Sequence, residues 1–345
     1  MDQYYYVGMD IHKKIIAYCI KRADGTIEAE GTIEATRKAL KQWAEKLPAP
    51  WIGAMEATIF TGWIYDFLKP YARELQVGNP LMMRAITAAK KKNDKLDART
   101  IADLARCQLL PQCYMAPQEM RDLRRALRYR NLLVHQAVRM KNRTATLLME
   151  IGAEDNKKKL HGAKYFAGLV DKLSDVPDGF KELLLMSRGG IELFENCQKK
   201  LLKGLVNNQA LKDRVQRLMS IEGVGEVTAL TWALEIGEPQ RFSSIRKAIS
   251  YCGLCSSQVE SAGKAMRMPL SKQRNKHLQS VLIEAAKLAP VHNKELSLLY
   301  DQERQRGNNH NQATITVARK LVTYLLAVDK SEKAFVKKSS NKKAA

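Results

Sequence analysis

The sequence predicts an α/β domain at the N-terminal end and mostly helical structure beyond it. Three observations point there. Hairpin-linked apolar runs fill the first 35 residues, helical and strand-like runs then alternate to Pro80, and helix formers with 3.6-residue periodicity dominate afterwards. Tyr4 to Asp10 is aromatic and β-branched, and Ile15 to Lys21 is a second apolar run. Asp24-Gly25 supplies turn chemistry before a third run, Thr26 to Thr32. Thr36 to Leu47 spaces Ala39, Leu40, Trp43 and Leu47 as one helical face and stops at Pro48. Trp51 to Met55 reads as a strand ending at Glu56, Gly62 to Leu68 as a helix, and Gln76 to Pro80 as a strand and turn. Hairpins followed by alternating elements build a mixed sheet with helices packed on it.

Farther on, residues 119–150 repeat Leu123, Leu127, Val134, Val138, Ala145 and Leu148 at helical spacing. Lys181 to Leu218 does the same with Ile191, Phe194, Leu201, Leu205, Val215 and Leu218. Between them, Asn156 to Gly179 is rich in Lys, Asp and Gly and reads as a connector. Two long amphipathic helices around a connector predict an antiparallel arm or coiled coil, an oligomerisation element; packing of both helices on the other domains is the alternative. Met219 to Val328 is again helical, punctuated by glycines at Ile221-Glu222-Gly223-Val224-Gly225 and Tyr251-Cys252-Gly253-Leu254, and a basic tail starts at Lys330.

Composition narrows the function classes. Among 345 residues, 58 Lys+Arg against 36 Asp+Glu leave a net charge of +22. Folding does not need such a charge, and its ordinary use is to neutralise a polyanion, nucleic acid first. An anionic membrane surface is the runner-up, but there is no amphipathic anchor or lipidation signal. No apolar run reaches the roughly 18 residues of a membrane span. The first residues lack the layout of a secretory leader, and six cysteines are too few for a disulfide scaffold. A reduced, cytoplasmic setting is expected. Cys252-x-x-Cys255 has no second pair at zinc spacing.

The chemistry-bearing residues are carboxylates. Asp10 interrupts an apolar strand, where a charge is costly without a partner. Glu56 ends another strand. Asp94 and Asp97 open a helix at a spacing of three, which places both on one face. Taken singly each has an ordinary reading, since Asp94 and Asp97 favour a helix N-terminus and Glu56 suits an exposed strand end. Converging, the four would hold Mg²⁺, or Mn²⁺, against phosphate. His12 beside Asp10 reads as a surface histidine that could help such a site.

The order strand–Asp, hairpin, strand–Glu, helix–Asp-x-x-Asp resembles the RuvC branch of the RNase H-like fold. More narrowly, the chain resembles the DEDD transposases of the insertion-sequence-110 (and -1111) family, described as bridge-RNA-guided recombinases. The matching blocks are Gly8-Met9-Asp10-Ile11-His12-Lys13, Met55-Glu56-Ala57-Thr58 and Asn93-Asp94-Lys95-Leu96-Asp97-Ala98-Arg99-Thr100-Ile101-Ala102. Further blocks are Ile221 to Ala229 with Glu235-Ile236-Gly237, then Tyr251-Cys252-Gly253-Leu254, Ser261-Ala262-Gly263-Lys264 and Asn275-Lys276-His277-Leu278. The likeness spans Tyr4 to Val328. It departs from the family at Arg274, where Gly is usual, at Gln279, where Arg is usual, and at Ile59-Phe60-Thr61-Gly62-Trp63, where an aromatic is displaced.

The resemblance implies a RuvC-like metal domain over 1–117, a coiled-coil arm over 118–218, a transposase domain over 219–329 and a disordered basic tail over 330–345. It implies a catalytic serine at Ser261 that forms a phosphoserine link to DNA; spacing alone does not separate Ser261 from Ser256 or Ser257, all in an expected loop. It implies donor and target duplex DNA, a guide (bridge) RNA, and a homo-oligomer, a dimer assembling to a tetramer, associated with the nucleoid when active. Ile221 to Val227 resembles a helix-hairpin-helix turn whose Gly223 and Gly225 let backbone N–H groups approach phosphate, although a helix-stop glycine pair fits the spacing nearly as well. Residues 90–143 hold fourteen Lys/Arg against five Asp/Glu, beyond what a solvated face needs. Expected nucleic-acid contacts are Lys90, Lys91, Lys92, Arg99, Arg124, Arg128, Gly223, Gly225, Lys264 and Arg267. The rival readings are a junction-resolving nuclease, in which water attacks, and a non-catalytic nucleic-acid-binding protein.

Overall fold

A computed structural model describes residues 4–86, 93–153, 159–160, 162–173, 176–261 and 264–336. The chain forms two compact units, residues 1–118 and 119–345.

The first unit is built on a five-stranded sheet. Its strands are β1 (Tyr5–Ile11), β2 (Ile15–Lys21), β3 (Ile27–Glu34), β4 (Trp51–Glu56) and β5 (Glu74–Gly78). They lie in the order β3-β2-β1-β4-β5, with β1, β2 and β3 antiparallel and β1, β4 and β5 parallel. That order and those directions match an RNase H-like sheet. The β2–β3 turn is made where the sequence predicts it: Gly25 takes a φ of +93°, and Asp24 Oδ1 accepts from the Thr26 N–H at 2.8 Å. Helices α1 (Arg37–Ala44), α2 (Thr61–Leu68), α3 (Pro80–Ile86) and α4 (Asp94–Arg106) complete the unit. Thr36 caps α1 by accepting from the Ala39 N–H.

Strand alternation sends β1 side chains to two different cores. Val7, Met9 and Ile11 join Leu40 and Trp43 of α1 and Ile64 and Leu68 of α2. On the opposite face Tyr6 of β1 packs against the cluster that Ala54 of β4 forms with Ile101, Leu104 and Ala105 of α4.

The second unit is helical apart from one hairpin. Its helices are α5 (Gln118–Glu150), α6 (Ala163–Asp171), α7 (Asp178–Val206), α8 (Gln209–Met219), α9 (Glu226–Ile236), α10 (Ile245–Tyr251), α11 (Lys276–His292), α12 (Lys294–Gln305) and α13 (His310–Ser331). The hairpin is β6 (Ser256–Ser261) with β7 (Lys264–Leu270). Helices α5 and α7 run antiparallel: Lys141 pairs with Glu195 at 2.7 Å, and Leu148 shares a buried cluster with Leu184.

Four expectations are corrected here. The single helix over 181–218 is two, because Asn208 caps a new one by accepting from the Ala210 N–H. The connector contains α6, which buries Phe166 and Leu169 against the ends of α5 and α7. The serine loop is a strand pair; with the run Ser256-Ser257-Gln258-Val259-Glu260 carrying one apolar residue, periodicity had nothing to register. The tail starts later than Lys330, which belongs to α13 and donates to the Phe242 carbonyl at 2.7 Å. Phe335 lies 4.9 Å from the Tyr324 ring, and its N–H donates to the Ser220 hydroxyl. Residues 337–345 lie outside the described ones.

Candidate active site

The site starts with a glycine. Gly8 sits on β1 where α4 crosses, and a Cβ there would stand 2.9 Å from Ala102 Cα and closer still to the Ala98 carbonyl oxygen. Only a residue without a side chain permits that approach, and Ala98 and Ala102 are the small partners that complete it. Asp10 lies two residues farther along the same face of β1, so it emerges beside the start of α4. There Asn93 caps the helix by accepting from the Lys95 N–H at 3.1 Å, and Asp94 and Asp97 occupy its first turn.

Glu56 reaches the same edge by strand register. Met9 pairs with Met55 across the parallel β1–β4 ladder, so the next residues are Asp10 and Glu56. Ala54 faces α4, and Glu56, two positions on, points to that face as well. Both carboxylates therefore stand at the C-terminal ends of adjacent parallel strands, where open α/β sheets place their ligands.

Ligand atoms of Asp10, His12 and Asp94 all lie within 4.8 Å of one another, with Asp10 buried and the other two exposed. His12 Nε2 is 3.0 Å from Asp10 Oδ2 and 3.5 Å from Asp94 Oδ1. Glu56 and Asp97 are outside this tight group, so the structure draws together two of the four expected carboxylates and adds the histidine. Burial pushes the Asp10 carboxyl above its ordinary range; the His12 contact opposes this, and the charges of Asp97 and Asp94 add to it. An oxygen-rich donor set whose buried member is pushed toward protonation fits a hard divalent cation, which would relieve that repulsion.

Several expected nucleic-acid contacts are otherwise engaged. Arg99 forms a two-pronged pair with Glu30, at 2.6 and 2.8 Å. Arg128 grips the Glu235 carboxylate at 2.7 and 2.8 Å, and Arg124 donates to the Leu234 carbonyl at 2.8 Å while lying 3.8 Å from Glu235. Glu235 is 1 % exposed and also accepts from Asn275 at 2.8 Å. Burial pushes its pKa up, yet the bonds from Arg128 and Asn275 outweigh this and hold it below the usual range. Each of these three arginines thus has a structural carboxylate neighbour within the fold. The sequence shows Glu235 only within the block Glu235-Ile236-Gly237 and gives it no role, because its partners lie on α5 and at Asn275, far away along the chain.

Gly223 has a packing reason too: at φ +88°, its Cβ would stand 2.7 Å from Ala289 Cα on α11. Gly225 is the N-cap of α9, with open space around it. Lys90, Lys91 and Lys92 lie outside the described residues. Ser261 ends β6 and pairs with Lys264, which opens β7; Arg267 lies opposite Gln258 in the same hairpin.

A buried Asp on the central strand, Glu at the neighbouring strand end and two Asp at a helix start thus lie along one edge of the sheet domain. Residues 7–152 match the IS110-type DEDD transposase profile, and residues 215–301 match "Transposase IS116/IS110/IS902 family". The chain belongs to this IS110/IS116/IS902 family of insertion-sequence transposases. It is 22% identical over 289 residues to the transposase for insertion sequence element IS1328 of Yersinia enterocolitica, covering 82% of this chain and 83% of that one. It is 25% identical over 296 residues to the transposase for insertion sequence element IS1111A of Coxiella burnetii, covering 81% and 76%. A probable family 20 transposase of Pseudomonas aeruginosa is 23% identical over 292 residues, covering 81% and 82%. Family membership makes the protein a DNA-acting enzyme and implies a divalent metal ion. No helix among the described residues is long and apolar enough to cross a membrane.

Proposed function

We propose that this transposase cleaves and exchanges DNA strands in a Mg²⁺-dependent reaction, through a covalent phosphoserine at Ser261, guided by a bridge RNA. The observation that carries the metal half is the convergence of Asp10 and Asp94, with Glu56 beside Asp10 by register. Asp10, Glu56, Asp94 and Asp97 are the ligands in this reading, and Mn²⁺ can replace Mg²⁺. The ion supplies stabilisation for the charge that builds on phosphate during transfer.

Ser261 is the nucleophile. Its hydroxyl oxygen forms a bond to phosphorus as the bond to the 3′ oxygen breaks, and the serine proton leaves while the 3′ oxygen gains one. The number of phosphoester bonds is unchanged, so a 3′ hydroxyl from another strand can reverse the step and complete an exchange. Support for Ser261 is the Ser-Ala-Gly-Lys block within the family-matched region, with Ser261 ending β6 opposite Lys264 of β7. RNA guidance rests on the resemblance and on a charge of +22, which suits backbone tracking. A homo-oligomer working in the cytoplasm, on donor and target duplexes, completes the reading. The region 118–218, whose long helices run antiparallel, is the arm that assembles it.

A supercoiled donor and target, guide RNA and Mg²⁺ test the whole scheme. Wild-type protein should yield a DNA-linked peptide containing Ser261. Ser261→Ala should lose the adduct, and Asp10→Ala should lose cleavage while retaining nucleic acid. An adduct at Ser256 or Ser257 would move the nucleophile. Free nicks without adduct would replace the scheme by hydrolysis. Efficient site-specific product from RNA-stripped protein would remove the guide.

A further inference from the structure

The second unit carries a cleft of about 690 Å³ between α5, the start of α9 and the start of α11. Its size is within the roughly 300–1,000 Å³ of ligand sites. Val134, Val227 and Val281 line it with apolar surface, and Arg130, Lys276 and His277 bring nitrogen. Arg128 also lines it, but Glu235 already neutralises that guanidinium. The one carboxylate in the lining, Glu284, is paired with Lys287 at 2.7 Å.

Arg130 differs from Arg128. It donates to Asn131 Oδ1 at 3.0 Å, and among the described residues its buried Nε meets no acceptor and no carboxylate pairs with it. A cation half-withdrawn from water with a donor left unmade is costly, and an anion's oxygen repays it. Lys276, one residue past the Asn275 cap of α11, is exposed and has no ion pair among the described residues. Burial pushes the His277 imidazole down, so at neutral pH it serves as a hydrogen-bonding ring rather than a third cation.

We propose that this cleft binds a backbone phosphate of a nucleic-acid strand, with Arg130 and Lys276 as its cationic contacts and the valine-lined wall against sugar or base. The inference deepens the reading of the chain as a nucleic-acid-acting transposase and moves the phosphate contacts of α5 from Arg124 and Arg128 to Arg130. The site lies on elements other than those that carry the four carboxylates and the serine hairpin.

Binding of fluorescent duplex DNA and of single-stranded RNA to the full chain, in EDTA and over a salt series, tests it. Lys276→Gln, at an exposed position that folding does not need, and Arg130→Gln should each weaken binding about tenfold. Each should also reduce the salt dependence by about one phosphate contact. Lys199→Gln on α7 removes the same charge elsewhere and should change neither. Loss with DNA alone, RNA alone or both assigns the strand and supports the site. Equal loss in Lys199→Gln would show a general field effect and overturn the site. Unchanged binding by Lys276→Gln and a folded Arg130→Gln would overturn it while leaving the transposase reading intact. A wild-type chain with no affinity for either nucleic acid would sink both.

Discussion

Replacing Gly8 by alanine should damage the active site more than the fold. The new Cβ would stand 2.9 Å from Ala102 Cα, against a comfortable carbon–carbon separation of about 3.5–4.0 Å. The opposing atoms belong to the α4 backbone, with the Ala98 carbonyl oxygen closer still than Ala102 Cα, so no side chain can swing away, and the helix must retreat by about 1 Å or more. Overpacking of that kind costs about 1–3 kcal/mol. At about 4 °C per kcal/mol for a unit of this size, Tm should fall by about 4–12 °C. The same retreat carries Asp94 and Asp97 away from Asp10, and a misplacement near 1 Å can cost about a hundredfold in rate. Thermal unfolding followed by circular dichroism, and DNA cleavage at a temperature where the variant is folded, read the two effects separately. Gly204→Ala on α7, with open space around it, is the control and should be neutral or slightly stabilising. If Gly8→Ala melts within about 1 °C of wild type and cleaves at the wild-type rate, the account of how α4 is held over β1 is wrong.

Arg128→Met should destabilise the protein by about 1.5–3 kcal/mol, because it removes the two-pronged bond to the buried Glu235 carboxylate and leaves it only Asn275 and the more distant Arg124; unchanged Tm with weakened DNA binding would favour Arg128 as a phosphate contact. Since the folded state holds the Glu235 pKa below its unfolded value of about 4.5, its stabilisation is present above that value and lost as pH falls through the folded pKa. The Tm gap between wild type and Glu235→Gln should therefore narrow between pH 6 and pH 3, and a gap that widens on acidification contradicts the pairing. Gly223→Ala combines a φ of +88° with a 2.7 Å approach to Ala289 and should lower Tm, whether or not nucleic acid is present. An unchanged Tm would return Gly223 to a purely ligand-facing role.

What the sequence determined by itself was local. The apolar runs, the Asp24-Gly25 turn and the helices starting near Thr36 and Asp94 depend on residues within a few positions of each other, so spacing reports them directly. The positions of the carboxylates were legible for the same reason: Asp10 lies near the end of β1, Glu56 ends β4, and Asp94 and Asp97 share a helical turn, although only Asp10 and Asp94 come together tightly. Tertiary structure decided which charges remain available. Arg99 meets Glu30 across 69 residues and Arg128 meets Glu235 across 107, while Arg130, two residues from Arg128, finds no carboxylate among the described residues. It also decided why Gly8 and Gly223 must be glycine, since the atoms they admit belong to α4 and α11. Periodicity tells which face of an element is apolar. It cannot tell what that face will meet, because ion pairing and close backbone approach are properties of two segments that only folding brings together.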